Sequence, residues 1–305
     1  MFRHVTIGCD PELFILDKAN NVIPSPVILD DEVVVTGMKN GSTSFSPIGA
    51  IVKDGFQVEL HPAPETCRAW LKDSLFFLLQ KTSELAEAKG YTITNKFVVD
   101  VDQKTLNELS QDVVALGCAP DYSAYSGEVK VLHLDASTHL KRYAGGHIHV
   151  GTSSDSRHLL SFSQKQIKIL QYQANDVIRL MDYMLGNLMV IVDTNKDNAE
   201  RRKIYGQAGS YRIQPHGLEY RTLSNFWLSH PSLVTLVTGL ARFCVTNTYP
   251  YSFAGQTTDL IDILDEEFDD MSDIRKAINE NDSELAISNL KRIISVIYRN
   301  DKVMT

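Results

Sequence analysis

The residues able to do chemistry sit in short alternating runs. In Gly8-Cys9-Asp10-Pro11-Glu12-Leu13-Phe14, Asp10 and Glu12 are two apart; in Gln57-Val58-Glu59-Leu60, Glu59 stands between apolar neighbours. In Gly145-Gly146-His147-Ile148-His149-Val150 the two histidines alternate with Ile148 and Val150, and Gly217-Leu218-Glu219-Tyr220-Arg221 does the same with Glu219 and Arg221. Positions two apart share one face of a strand. A solvated strand face mixes Thr, Lys, Ser and Gln, whereas these polar positions are carboxylates and imidazoles. Gly145-Gly146 marks a place where something approaches the backbone closely, and Pro11 implies an edge or bulge in its strand. If the segments join one sheet, Asp10, Glu12, Glu59 and Glu219 converge with His147 and His149. Such a group repels itself and cannot leave water without cations. Oxygen-rich ligation with one or two imidazoles suits Mg²⁺ or Mn²⁺. Arg142, Arg201, Arg202, Arg212 and Arg221 lie near the same motifs, and guanidinium forks match phosphate oxygens. Carboxylates, a divalent metal and arginines together point to a nucleoside triphosphate.

The common nucleotide motifs are missing. Gly37-Met38-Lys39-Asn40-Gly41-Ser42-Thr43 has the wrong spacing for a P-loop, and there is no GxGxxG, HExxH or GxSxG. A P-loop NTPase, a Rossmann dinucleotide site, a zincin and an α/β-hydrolase are all disfavoured.

The positioning elements can be read from pattern. Residues 5–16 are expected to form a strand, 17–21 a turn, and 48–61 a strand pair broken at Asp54-Gly55, a hairpin signal. A long helix is expected to open at Pro64-Glu65-Thr66, carry Trp70, Leu71, Phe77, Leu78 and Leu85, and end before Gly90. Residues 91–100 read as a strand, 117–127 as irregular, 141–152 as a short strand and 163–188 as a helix. Residues 196–210 read as a polar loop with a short helix, and 211–223 as a hairpin around Pro215-His216-Gly217. A helix follows from Pro231 to about residue 248, and the tail after 257 is helical in pattern. Residues 1–255 are expected to form one catalytic domain, with 256–305 a helical extension of it.

The 305 residues carry 30 Lys+Arg against 38 Asp+Glu, a net charge of −8, which argues against a general nucleic-acid footprint. The 43% hydrophobic content excludes intrinsic disorder. The four cysteines are scattered without a CxxC spacing, which suits reduced intracellular thiols better than disulfides or a zinc finger. With no signal peptide visible and no stretch of membrane-spanning length, a cytoplasmic protein without membrane partners is expected.

In their order and spacing these motifs resemble the carboxylate–amine ligase superfamily of glutamine synthetase and γ-glutamylcysteine ligase, and most of all its phage-type COOH·NH2 ligase branch. The resemblance covers residues 7–227. Besides the runs above it rests on Gly37-Met38-Lys39, on Asp54-Gly55 leading into Val58-Glu59-Leu60, and on Gly117-Cys118-Ala119-Pro120-Asp121-Tyr122. It implies an α+β fold, a curved antiparallel sheet forming a half-barrel with helices packed outside. It implies Asp10, Glu12, Glu59, His147 and Glu219 as metal ligands, with Glu12 a safer one than the shorter Asp10. His149 would lie towards substrate or phosphate, Arg221 would bind substrate or phosphate, and Arg212 resembles the nucleotide-phosphate arginine. Arg142, Arg202 and Lys39 are further cofactor-binding candidates. The metal strand begins within a dozen residues, so the extra domain that glutamine synthetases carry before theirs is not expected here. A ring oligomer of that kind is not expected, and a monomer or small homo-oligomer is.

The reaction implied is ATP-dependent amide formation: the carboxylate takes the γ-phosphoryl group of ATP, and the amine attacks the acyl phosphate. Partners would be small-molecule or peptide acids and amines, in a host cytoplasm if the chain is phage-encoded. A guanidino-kinase-like phosphotransferase, a metal-dependent hydrolase and an inactive binding homologue are the alternatives. Several residues keep two readings. Asp121 caps a turn or reads the amine; Lys39 is solvated or touches phosphate. Arg201-Arg202-Lys203 is a solvated basic run or a phosphate contact. Cys9 and Cys118 read mainly as packing, His61 as structural or exposed, and His133, His139, His158, His216 and His230 as non-ligands.

Overall fold

The structure, a computed structural model, describes residues 5–38, 45–114, 121–130, 135–152, 168–248 and 260–299. Lys39, Cys118, His133 and His158 lie outside the described residues.

The early strands are β1 (Val5–Cys9), β2 (Glu12–Leu16), β3 (Val22–Ile23), β4 (Val33–Met38), β5 (Phe45–Asp54), β6 (Gln57–Pro62), β7 (Thr92–Thr94) and β8 (Val98–Asp100). The later ones are β9 (Asp121–Ser123), β10 (Val129–Lys130), β11 (Lys141–Tyr143), β12 (Ile148–Thr152), β13 (Ser210–Gln214) and β14 (Gly217–Tyr220). One six-stranded sheet runs β1-β12-β14-β13-β9-β10; a second runs β3-β2-β6-β5-β4, with β7 also on β2; β8 and β11 form a separate pair. All these pairings are antiparallel. The result is α+β, a curled antiparallel half-barrel backed by helices.

The strand expected over 5–16 changes sheets at Asp10-Pro11. Pro11 has no N–H to give a ladder, so β1 ends at Cys9 and β2 starts at Glu12. The corner is held from outside: Asp10 N–H donates to His147 O (3.4 Å), Glu12 N–H to Gly145 O (3.0 Å), and Leu60 N–H to Pro11 O (3.1 Å). The strand expected over 141–152 is likewise two strands, with Gly145-Gly146-His147 lying along that corner.

The apolar face is covered by two long helices. Arg68–Ala88 packs Leu71, Leu75, Leu78 and Ala86 on β5 and β6. Pro231–Asn247 packs Val234, Val237, Ala241 and Cys244 on β1, β12 and the first helix. Each buried aliphatic side chain contributes about 1.5–3 kcal/mol of transfer free energy. The first helix starts later than expected, because Glu65 exchanges two 2.9 Å backbone hydrogen bonds with Ile7 and so belongs to the sheet edge.

The helix expected over 163–188 is described from residue 168 on. It includes Ala174–Met181, a π-turn Asp182–Gly186 and Asn187–Val192. The tail forms helices Leu260–Glu267, Ser272–Glu280 and Ser283–Arg299, the last packed on Asn187–Val192. Segment 117–127 is not wholly irregular: β9 pairs with β13, and the Tyr122 and Tyr211 rings meet tilted by 31° with centroids 5.5 Å apart.

Candidate active site

The polar face of the half-barrel gathers its charge by register. Cross-strand partners share a face. In the first sheet Glu219 pairs with both His149 and Arg212. In the second, Glu12 pairs with Glu59, and Asp54 with Gln57, two positions before Glu59. Asp10 at the corner joins the two groups.

Asp10 Oδ1 is 3.1 Å from His147 Nδ1, and its Oδ2 is 3.1 Å from His149 Nε2. His147 Nδ1 is also 3.5 Å from Glu219 Oε1. Arg221 Nη1 donates to Glu219 and lies 3.4 Å from His147 Nδ1. Asp121 takes two guanidinium groups, Arg212 Nε at 3.1 Å and Arg221 Nε at 3.0 Å. Glu12 accepts hydrogen bonds from Gly145 N–H (2.5 Å) and Gln57 Nε2 (3.3 Å). His61 Nε2 is 2.7 Å from Glu59 Oε2. His147, Glu219, Arg221 and Glu12 are almost wholly buried, at 2%, 1%, 4% and 5% exposure.

Six carboxylates (Asp10, Glu12, Asp54, Glu59, Asp121, Glu219) thus meet two guanidinium groups, and their protonation divides accordingly. Burial would raise Asp10 and Glu219, yet His147 and His149 hold Asp10 well below the usual range, and His147 and Arg221 hold Glu219 down. Around Glu12 the balance is reversed. Burial pushes Glu12 well above the usual carboxylate range, and the Glu59 charge adds to it. Burial raises Glu59 and Asp54 too, with Asp10 adding in each case. Burial and the Arg221 charge keep the His147 imidazole easier to deprotonate than usual. Against burial, Asp10 raises His149 and Glu59 raises His61.

Carboxylates that repel one another in a buried place are what a divalent cation relieves. Among the described residues, three groups of side chains have ligand atoms within 4.8 Å of one another: Asp10, His149 and Glu219; Asp10, Glu59 and His61; and Glu12, Asp54 and Glu59. Asp10 and Glu59 each occur in two of them. The donor set fits a hard divalent cation.

Of the five expected metal residues, Asp10, Glu12, Glu59 and Glu219 occur in these groups; His147 occurs in none of them but lies beside Asp10 and Glu219, and the expected catalytic residues His149, Arg212 and Arg221 adjoin the same cluster. Arg142 and Arg202 do not join it. The Arg142 guanidinium is bound by the carbonyls of His139 (2.5 Å), Lys141 (3.0 Å), Val114 (3.1 Å) and Ala136 (3.0 Å) and lies over the Phe56 ring. Arg202 donates to Ile278 O and Asn281 Oδ1, at the end of Ser272–Glu280. Their terminal nitrogens bind protein oxygens, away from the carboxylate cluster. Arg201 and Arg202 do not lie in a solvated run, since both are buried.

Asp54, His61 and Tyr205 are additions. Asp54 had a usable signal: a Gly55 turn (φ 56°) pairs it with Gln57, on the face of Glu59. The close approach implied by Gly145-Gly146 comes from the chain itself. A Cβ on Gly145 would overlap His147 Nε2 and reach 2.6 Å from Tyr205 Oη. One on Gly146 would meet Ser224 O at 2.5 Å and Asn225 Cα at 2.9 Å.

Residues 115–258 match the family described as "Phage phiEco32-like COOH.NH2 ligase-type 2". The matched stretch includes Asp121, His147, His149, Arg212, Glu219 and Arg221, while Asp10, Glu12, Asp54 and Glu59 precede it. No curated protein matches in sequence. Among solved structures, the chain is similar to one titled "Crystal structure of novel glutamine synthase homolog" at 10% identity and TM-score 0.37, covering 96% of this chain and 67% of that one. It is also similar to "GmaS/ADP complex-Conformation 1" at 12% identity and TM-score 0.40, covering 98% and 70%. A third, "Apo GmaS without ligand", has 12% identity and TM-score 0.37, covering 97% and 70%. Among the described residues no helix is long and apolar enough to cross a membrane.

Proposed function

We propose that the chain is an ATP-dependent ligase that joins a small-molecule or peptide carboxylate to an amine through an acyl phosphate. The observation that carries this reading is the single polar face on which carboxylates of both sheets, His147 and His149 meet Arg212 and Arg221. Asp10, Glu12, Glu59, His147 and Glu219 would hold Mg²⁺ or Mn²⁺. When bound, the metal supplies charge neutralisation of phosphate oxygens. Arg212 and Arg221, oriented by Asp121, would bind the phosphoryl oxygens and stabilise the charge that spreads over them during transfer. His149, beside Asp10 at the half-exposed side, would face the substrate. Burial of His147, Glu219 and Arg221 would keep water from the acyl phosphate. Residues 1–255 are the catalytic domain in this reading, with 256–305 a helical extension of it.

The test is ADP and phosphate release with Mg²⁺, ATP and pools of amino acids and amines, with amide product followed by mass spectrometry. Amide formed in step with ADP is expected, and Glu219→Gln should abolish it while the protein stays folded. ADP without amide would indicate kinase chemistry instead. Product formed without ATP would indicate hydrolysis, and full turnover in Glu219→Gln would remove the metal assignment.

A further inference from the structure

Tyr205 follows the helix Asp197–Ile204 as its last cap, with its N–H on Arg201 O at 2.7 Å. Its hydroxyl is hydrogen-bonded to His147 Nε2 and lies 3.5 Å from Glu12 Oε1. Its ring is held between two cations, with the Arg201 guanidinium 4.8 Å and that of Arg221 5.1 Å from the centroid. Arg201 is itself immobile, because the carbonyls of Ala144, Thr222, Arg221 and Leu223 take its donors. The phenol therefore has little freedom, and the His147 ring meets it edge-on at 83°.

We propose that Tyr205 is a positioning residue that holds His147 by Nε2, so that His147 presents Nδ1 to Asp10, Glu219 and any cation between them. A neutral imidazole carries one N–H, and the group bonded to the other nitrogen decides which one. In the cation-free protein the Arg221 guanidinium, which can only donate, lies 3.4 Å from His147 Nδ1, so Nδ1 accepts, Nε2–H donates to Tyr205 Oη, and the Tyr205 O–H donates to Glu12 Oε1 at 3.5 Å. This is the form in which Nδ1 would offer a lone pair to a divalent cation, with no movement of the ring proton. Only a side chain that accepts from Nε2–H keeps the ring in this form, so phenylalanine cannot replace it. The partner that orients a metal-ligating histidine typically accounts for 10–100-fold in metal affinity. The cation half of this proposal rests on the reading given under Proposed function; the choice of nitrogen in the cation-free protein does not.

Two measurements test it, neither of them turnover. Histidine-selective ¹⁵N spectra of the cation-free wild type should show His147 as the Nε2–H form, and that form should persist as Mg²⁺ is added. Mn²⁺ titration followed by EPR should show Tyr205→Phe binding about 10–100-fold more weakly, with an unchanged circular dichroism spectrum. An Nδ1–H form in the cation-free wild type would overturn the proposal, as would wild-type Mn²⁺ affinity in Tyr205→Phe. A wild type that binds no Mn²⁺ would overturn the cation half together with the proposed metal site, leaving the cation-free spectrum to decide the orientation.

Discussion

Replacing Asp182 with asparagine should change the pH dependence of stability in a direction the structure dictates. Asp182 begins the π-turn and is 0% exposed. Its carboxylate accepts Tyr125 O–H at 2.6 Å and Tyr220 O–H at 2.7 Å. Burial raises it from 3.8 to about 6, with the tyrosine hydroxyls and the Gly209 amide opposing the shift. A carboxyl raised on folding keeps its proton in the native state where the unfolded chain has lost it. Its contribution is therefore fully present below about pH 4 and is lost as pH rises through about 6. Two pKa units correspond to about 3 kcal/mol, of which about 2 kcal/mol falls between roughly pH 4.5 and pH 7.5. Asparagine keeps the shape, can accept from one tyrosine and donate to the other, and does not titrate. The assay is urea unfolding of wild type and Asp182→Asn at those two pH values. The variant should gain about 2 kcal/mol on the wild type between the acidic and the neutral condition. A stability difference that stays constant with pH would refute the reasoning, whatever its sign.

Two further substitutions test the polar framework. Arg201→Met should cost about 3–5 kcal/mol in urea unfolding, since it takes the Arg201 donor from the buried carbonyls of Ala144, Thr222 and Arg221, while Leu223 O keeps the Gly146 N–H; a loss under about 1 kcal/mol would contradict that role. Gly145→Ala drives a Cβ into His147 and Tyr205, whereas Gly8→Ala meets nothing nearer than 3.6 Å, so the first should lower the melting temperature and weaken Mn²⁺ binding while the second leaves both near wild type; equal effects would remove the steric argument.

The site was legible where local alternation sufficed. Glu59, Glu219, His149 and Arg221 follow from a period of two, and the Asp54-Gly55 hairpin is where pattern put it. What alternation cannot carry is the corner. Asp10 and Glu12 do share the cluster, but across a change of sheet rather than along one strand. His147 precedes its strand, and it reaches Asp10 because Gly145-Gly146 lies along that corner. The two arginines that lie outside the cluster have another cause. A guanidinium suits a phosphate and a set of backbone carbonyls equally well, and only tertiary structure says which one Arg142 or Arg202 meets. Tyr205 was hidden for the same reason, since its partner His147 is 58 residues away in the chain.

The change of sheet at Asp10-Pro11 also sets an order of events. Ile7 bonds Glu65 early in the chain but pairs with Val150, which pairs with Leu218, so β1 joins its six-stranded sheet only once residues 148–152 and then 217–220 have been synthesised. Until then Asp10, Glu12 and Glu59 belong to a hairpin assembly without His147, Arg212 or Arg221 to offset them. Closure across such sequence distances is slow. The pocket thus cannot be prefigured in an early intermediate, and the capacity to hold a cation should emerge together with the last step of folding, as a marker that the whole half-barrel has closed.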